Sequence, residues 1–191
     1  MDLFYLAISA TFVNNILLAQ YLGHCPFLGV SKRFETALGM AAAIIFVTIL
    51  SAVFTWTVFT FVLRPYGLEF LQTLAFILII ASLVQLVEII LKKKSKALYN
   101  ALGVYLALIT TNCAVMGVAL LIARKELGFV EMLVFATASA FGYAVALLLF
   151  AGHRERLQIS AIPQSMQGTA IALVTAGIMS LAFIGFRGMA G

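Results

Sequence analysis

Charge in this chain is confined to short islands, and that segregation decides what it can fold into. No Asp, Glu, Lys or Arg occurs in residues 3–31, 36–63, 70–87, 97–123, 132–152 or 157–186. Each stretch holds about the 20 apolar residues that cross a bilayer as a helix. In hydrocarbon a segment must satisfy its own backbone polar groups, which leaves helices or closed barrels. The expected fold is therefore all-α: a polytopic membrane protein with six transmembrane helices. Composition agrees, with 64% hydrophobic and 10% charged residues, against roughly 25% charged in a soluble domain. One membrane domain is expected over residues 1–191, with no linker long enough to separate a second. The start "MDLFYLAISA" has an acid at Asp2 and no basic run, so no cleavable leader is expected.

Basic residues then set the orientation. The connections after segments one, three and five carry Lys32, Arg33, Lys92, Lys93, Lys94, Lys96, Arg154 and Arg156. The opposite side carries Arg64, Arg124, Lys125 and Arg187. Eight against four predicts that the first set is cytoplasmic and that both termini are not. The net charge of +5 thus speaks of orientation in a lipid bilayer, not of nucleic acid. The run "KKKSK" reads as a positive-inside anchor; an acidic lipid or partner is the other reading. Glu88, beside Lys92 near a segment end, reads as interfacial rather than as an ion ligand.

Two halves of the chain are similar. "CPFLGV" at Cys25 lies over "CAVMGV" at Cys113, and both read Cys-x-x-x-Gly-Val. His24 lies over Asn112, and "LQTLAFILIIA" at 71–81 lies over "MQGTAIALVTA" at 166–176. This order suggests a three-helix unit used twice, about 1–96 and about 97–191. Three is odd, so the second copy enters the membrane from the other side, an inverted repeat that places a shared site near the midplane. Both cysteine segments are also poor continuous helices. The first contains Asn14, Asn15, Gly23, Pro26 and Gly29; the fourth contains Thr110, Thr111, Asn112 and Gly117. Broken helices are expected at the cysteines, with Gly29 and Gly117 as candidate hinges. Asn and Thr as interhelical glue is the plainer reading. In "ASAFGYAVA" the four-residue spacing of Ala138, Gly142 and Ala146 predicts close helix packing.

Cys25 and Cys113 are the chain's two thiols, and three readings stand for them. A free cysteine packs as a small hydrophobe. A disulfide needs closely approaching backbones. A metal centre suits thiolates, but an ordinary iron–sulfur cluster takes four of them, so two would come from another chain. No phosphate-binding glycine motif and no nucleophile–base constellation is present.

The segments "LGHCPFLGVSKRFETALGM", "TLAFILIIASLVQLVEII", "LITTNCAVMGVALL" and "AIALVTAGIMSLAFIGF" resemble the A-type membrane component of the Rnf complexes, over essentially the whole chain. That family is similar to the D-type and E-type components of the sodium-translocating NADH:quinone reductases. The resemblance implies a component of a redox-driven translocase in a bacterial or archaeal cell (inner) membrane. The Rnf complex exchanges electrons between ferredoxin and NAD and couples this to sodium or proton transport. The A-type component pairs there with the homologous E-type component in opposite orientation, and their four cysteines hold one 2Fe–2S cluster. Carried over, Cys25 and Cys113 are this chain's two iron ligands. Flavins and the pyridine-nucleotide site belong to other members of the complex. His24, Asn112, Gly29 and Gly117 become candidate neighbours of the cluster. This sequence departs from the family pattern at His24, where an apolar residue is expected, and at Ala107, where a proline is expected.

The physics of such a site is consistent with the resemblance. The hydrocarbon core is about 30 Å thick, so a carrier at the midplane divides the crossing into two hops. A reduced cluster gains negative charge, which dipoles or a cation must meet. Three alternatives remain: the E-type component of a quinone reductase, a secondary transporter with a solute site at the same depth, or a scaffold component whose cysteines are inert. A transporter would purify colourless.

Overall fold

The computed structural model describes residues 3–13, 15–31, 34–94, 105–159 and 168–189. All regular structure among them is helical: α1 (Leu3–Ile8), α2 (His24–Val30), α3 (Phe34–Val58), α4 (Gln72–Lys94), α5 (Tyr105–Thr110), α6 (Cys113–Arg124), α7 (Phe129–Ile159) and α8 (Thr169–Met189). Wide π turns extend α1 over Ser9–Val13 and α3 over Phe59–Leu63, and a short 3₁₀ turn at Glu69–Leu71 leads into α4. Among the described residues, Phe34–Leu63, Gln72–Ile89 and Phe129–Leu157 are long and apolar enough to cross a membrane. Leu108–Arg124 and Thr169–Gly185 are shorter apolar helical stretches. Of the basic residues that set the expected orientation, Lys32, Arg33 and Lys96 lie outside the described residues, as do Asn14 of the expected break and Gln167 of the expected repeat.

α3 and α7 share the most extensive contact. α3 buries Ala37, Met40, Ala41, Ile44, Val47, Thr48, Ser51, Ala52 and Thr55, one stripe at helical spacing. On α7, Met132, Phe135, Ala136, Ser139, Ala140 and Leu147 are buried. The alanines and serines let the two backbones approach, which is how helices pack where lipid is as apolar as leucine. α4 lies at the edge, with Leu74, Ile77, Leu78, Leu86 and Ile89 exposed. Arg64, after α3, pairs with Glu126, after α6, at 2.9 Å. At the opposite end of α3, Arg154 of α7 donates to the carbonyl of Leu28 at 2.7 Å and to Ser31 Oγ at 2.8 Å, so it closes the C-terminus of α2.

The first segment is broken as expected, but ahead of Pro26. No regular helix forms over residues 15–23. Pro26 is the third residue of α2, a first-turn position where its missing N–H is harmless. The break is covered by protein, as membrane-depth backbone must be. Asn15 Oδ1 accepts from the amides of Leu17 (3.0 Å) and Leu18 (3.4 Å). Asn15 Nδ2 donates to the carbonyls of Gly142 (2.9 Å) and Thr11 (3.1 Å). The Leu22 amide reaches the Ile16 carbonyl at 3.1 Å, and Ser180 Oγ donates to the Leu18 carbonyl at 3.0 Å. The fourth segment breaks at Thr111 and Asn112, between α5 and α6.

Candidate metal centre

Each break leads into a helix that carries a cysteine in its first turn. Cys113 is the first residue of α6 and Cys25 the second of α2. Each thiol is free and exposed on the surface of the chain, so neither packs as a core hydrophobe and no disulfide joins them. Asn112 explains the start of α6. Its backbone is extended (φ −71°, ψ 110°) and its Oδ1 accepts from the Ala114 amide at 2.9 Å, an N-cap. The positive end of the α6 dipole is thereby directed at Cys113.

Gly23 brings the two breaks together. Its amide donates to Cys113 Sγ at 2.8 Å, across 90 residues of chain, and Cys25 follows two residues later. Gly23 has φ +87°, a left-handed backbone conformation that favours glycine. There is also no room for a side chain: a Cβ would lie 2.6 Å from the Tyr143 ring and 3.1 Å from Ala114 Cβ. Tyr143, on α7, donates its hydroxyl to the Gly23 carbonyl at 3.0 Å.

The other expected residues are placed differently. Asn112 adjoins the thiol and caps its helix. His24 is half-buried; its ring stacks on Tyr21 and meets the edge of Phe27, and Nδ1 bonds the Tyr21 carbonyl at 3.0 Å. Gly117 lies inside α6, where a Cβ would run into Leu22. Gly29 lies inside α2, with Leu108 3.9 Å from where its Cβ would be. Neither glycine adopts a positive φ, and the backbone turns at Gly23 instead. Among the described residues no three His, Cys, Asp or Glu side chains converge on one point. Ala107 is helical in α5. Tyr143 had one legible signal in the sequence: a hydroxyl inside an uncharged segment needs an internal partner.

Two exposed thiolate-competent side chains, a backbone donor aimed at one of them and a helix N-terminus behind it match half of a four-thiolate ligand set. They define a class: polytopic membrane proteins that present two exposed thiols in the first turns of helices that follow interruptions. Residues 3–190 match the family described as "Rnf-Nqr subunit, membrane protein", and the chain belongs to that family. It is 56% identical over 189 residues to the A-type component of the "Na(+)-translocating ferredoxin:NAD(+) oxidoreductase complex" of Acetobacterium woodii, covering 99% of this chain and 98% of the relative. It is 52% identical over 188 residues to the A-type component of the "Ion-translocating oxidoreductase complex" of Syntrophotalea carbinolica, covering 98% and 97%. The protein of the same name from Yersinia enterocolitica is 50% identical over 184 residues, covering 96% and 95%.

Proposed function

We propose that this chain is the A-type component of an Rnf-type ferredoxin:NAD oxidoreductase, where it relays electrons across the membrane in a complex that moves sodium or protons. Cys25 and Cys113 supply two of four thiolates for a 2Fe–2S cluster, and the homologous E-type component, in opposite orientation, supplies the other two. When bound, such a cluster supplies one-electron storage at membrane depth. Two inverted repeats, about 1–96 and about 97–191, and non-cytoplasmic termini belong to the same reading.

The observation that carries it is the pairing of the two breaks: both thiols are exposed, each at the start of a helix, with the Gly23 amide on Cys113. The exposed thiols face outward, as ligands completed by a second chain require. The Gly23 amide and the start of α6 put positive dipoles where thiolate charge accumulates. Leu22 packs over Gly117 beside Cys113, and Tyr143 holds the Gly23 carbonyl. The relatives' names support the Rnf assignment over a place in a quinone reductase.

The test is iron content and electron paramagnetic resonance of the assembled complex. Cys25→Ala and Cys113→Ala should each abolish the intramembrane 2Fe–2S signal while leaving the chain in the complex. Retention of that reduced signal in both variants would sink the assignment.

A further inference from the structure

The ligands do not account for Tyr143. It is large and 2% exposed, and its ring alone would fill its place on α7. The hydroxyl adds nothing to packing, and burying one costs on the order of 1–3 kcal/mol unless it is hydrogen-bonded. Here the bond goes to the residue whose amide reaches Cys113. Gly23 is gripped from three sides. Its N–H is spent on Cys113 Sγ, its carbonyl receives the Tyr143 hydroxyl, and its Cα lies against the Tyr143 ring with no space for a Cβ. A glycine samples positive and negative φ about equally when free. At φ +87° the Gly23 amide faces the Cys113 thiol, so the contact is kept while that conformation is held.

We propose that Tyr143 is a positioning residue: it locks Gly23 so that the Gly23 amide points at Cys113, and it thereby raises the reduction potential of the group bound through that thiolate. This rests on the reading of Cys113 as a cluster ligand. The physical chain is short. An N–H donor stabilises a sulfur in proportion to its negative charge, and a reduced cluster is the more negative state. Without the hydroxyl, Gly23 regains rotational freedom, the amide leaves the sulfur for part of the time, and the reduced state loses stabilisation. A residue that only packed would have no such effect when its ring is kept.

The experiment uses the assembled complex with Tyr143→Phe, and with 4-aminophenylalanine at the same position as a variant that keeps a donor. Two measurements are made. The first is hydrogen–deuterium exchange at the Gly23 amide, which reads the lock whether or not metal is present. The second is a redox titration of the cluster followed by electron paramagnetic resonance. The expected result is slow exchange at Gly23 in the wild type and faster exchange in Tyr143→Phe. The oxidised-to-reduced ratio at fixed potential should rise roughly tenfold, a fall of about 59 mV for one electron, at unchanged iron content. The 4-aminophenylalanine variant should recover most of both. Fast exchange at Gly23 in the wild type would overturn the lock by itself, even if Tyr143→Phe fails to assemble. Faster exchange with an unmoved potential would overturn the tuning. If the wild-type complex holds no cluster on these cysteines, the proposed function fails separately, and a potential set through Tyr143 fails with it; the exchange data then still decide whether the lock exists.

Discussion

Replacing Asn15 should weaken the first broken segment without touching either thiol. Asn15 is 2% exposed and spends both ends of its amide: Oδ1 on the Leu17 and Leu18 N–H groups, Nδ2 on the Gly142 and Thr11 carbonyls. The carbonyls lie in helical turns that remain when the side chain goes. The two amides lie in the break, where no regular helix can take them over. An abandoned buried donor costs about 1–3 kcal/mol. The Leu17 bond at 3.0 Å is well formed and the Leu18 bond at 3.4 Å is long, so the second contributes less. Asn15→Ala should therefore cost roughly 2–4 kcal/mol with the small cavity included. Asn15→Asp separates the two ends: the volume and the Oδ1 acceptor stay, but an oxygen now faces two carbonyl oxygens in a low-dielectric site. It should cost at least as much as alanine. In a chain of this size each kcal/mol shifts a melting midpoint by roughly 2–4 °C, so the detergent-solubilised complex should melt about 5–15 °C lower. If both variants melt within about 2 °C of wild type, Asn15 does not hold the break.

Gly23→Ala should be far worse than an ordinary glycine-to-alanine change, because left-handed backbone costs a Cβ residue roughly 1–2 kcal/mol and the methyl overlaps the Tyr143 ring; full iron content in the assembled variant would refute this. Arg154→Met should loosen α2 by removing the donor to Leu28 and Ser31, with a loss of about 1–3 kcal/mol read as a lower melting midpoint, and Arg154→Lys should restore only part of it. Arg64→Ala should change stability by no more than about 1 kcal/mol, since its pair with Glu126 is solvent-exposed, and a larger salt-independent loss in the same melting assay would count against that. Alkaline phosphatase fused after Gly191 should be active and a cytoplasmic reporter there silent, given the eight-to-four division of basic residues.

The helices were legible in the sequence because charge is excluded from lipid, whereas their faces were not. Ile44 is buried and Phe46 and Phe54 are exposed on the same α3, yet all three are apolar, because lipid and protein core ask for the same chemistry. The breaks were legible as a coincidence of Asn, Gly and Pro with both cysteines, but their position was not. Proline breaks a helix only beyond its first turn, so Pro26 opens α2 instead of ending a helix. Gly29 and Gly117 matched each other in sequence, but Gly117 packs against the end of the Leu22 side chain and neither turns the chain. Tyr143 escaped because its partner is 120 residues away.

The small-residue stripe on α7 shows how packing and site are connected. Its spacing predicted a close helix contact, and part of that contact falls on the first segment's π turn rather than on α3. Thr11 Oγ1 reaches the Ala138 carbonyl at 3.2 Å. A Cβ on Gly142 would lie 2.7 Å from the Thr11 carbonyl oxygen and 3.3 Å from Asn15 Nδ2. Gly142 therefore lets the end of the first helical stretch lie on α7, and Asn15 fastens it there through the Gly142 carbonyl. The next residue along α7 is Tyr143, which grips the far end of the same break at Gly23. Two adjacent residues of one rigid helix thus fix both ends of the irregular segment, one by having no side chain and the other by having a large side chain with a polar tip. The thiols inherit their placement from that helix: α6 begins at Cys113 under the Gly23 amide, and α2 begins immediately after Gly23 and carries Cys25. An irregular segment so anchored can hold the two cysteine-bearing helix starts with a precision that loops rarely have, because its ends move only as far as α7 does.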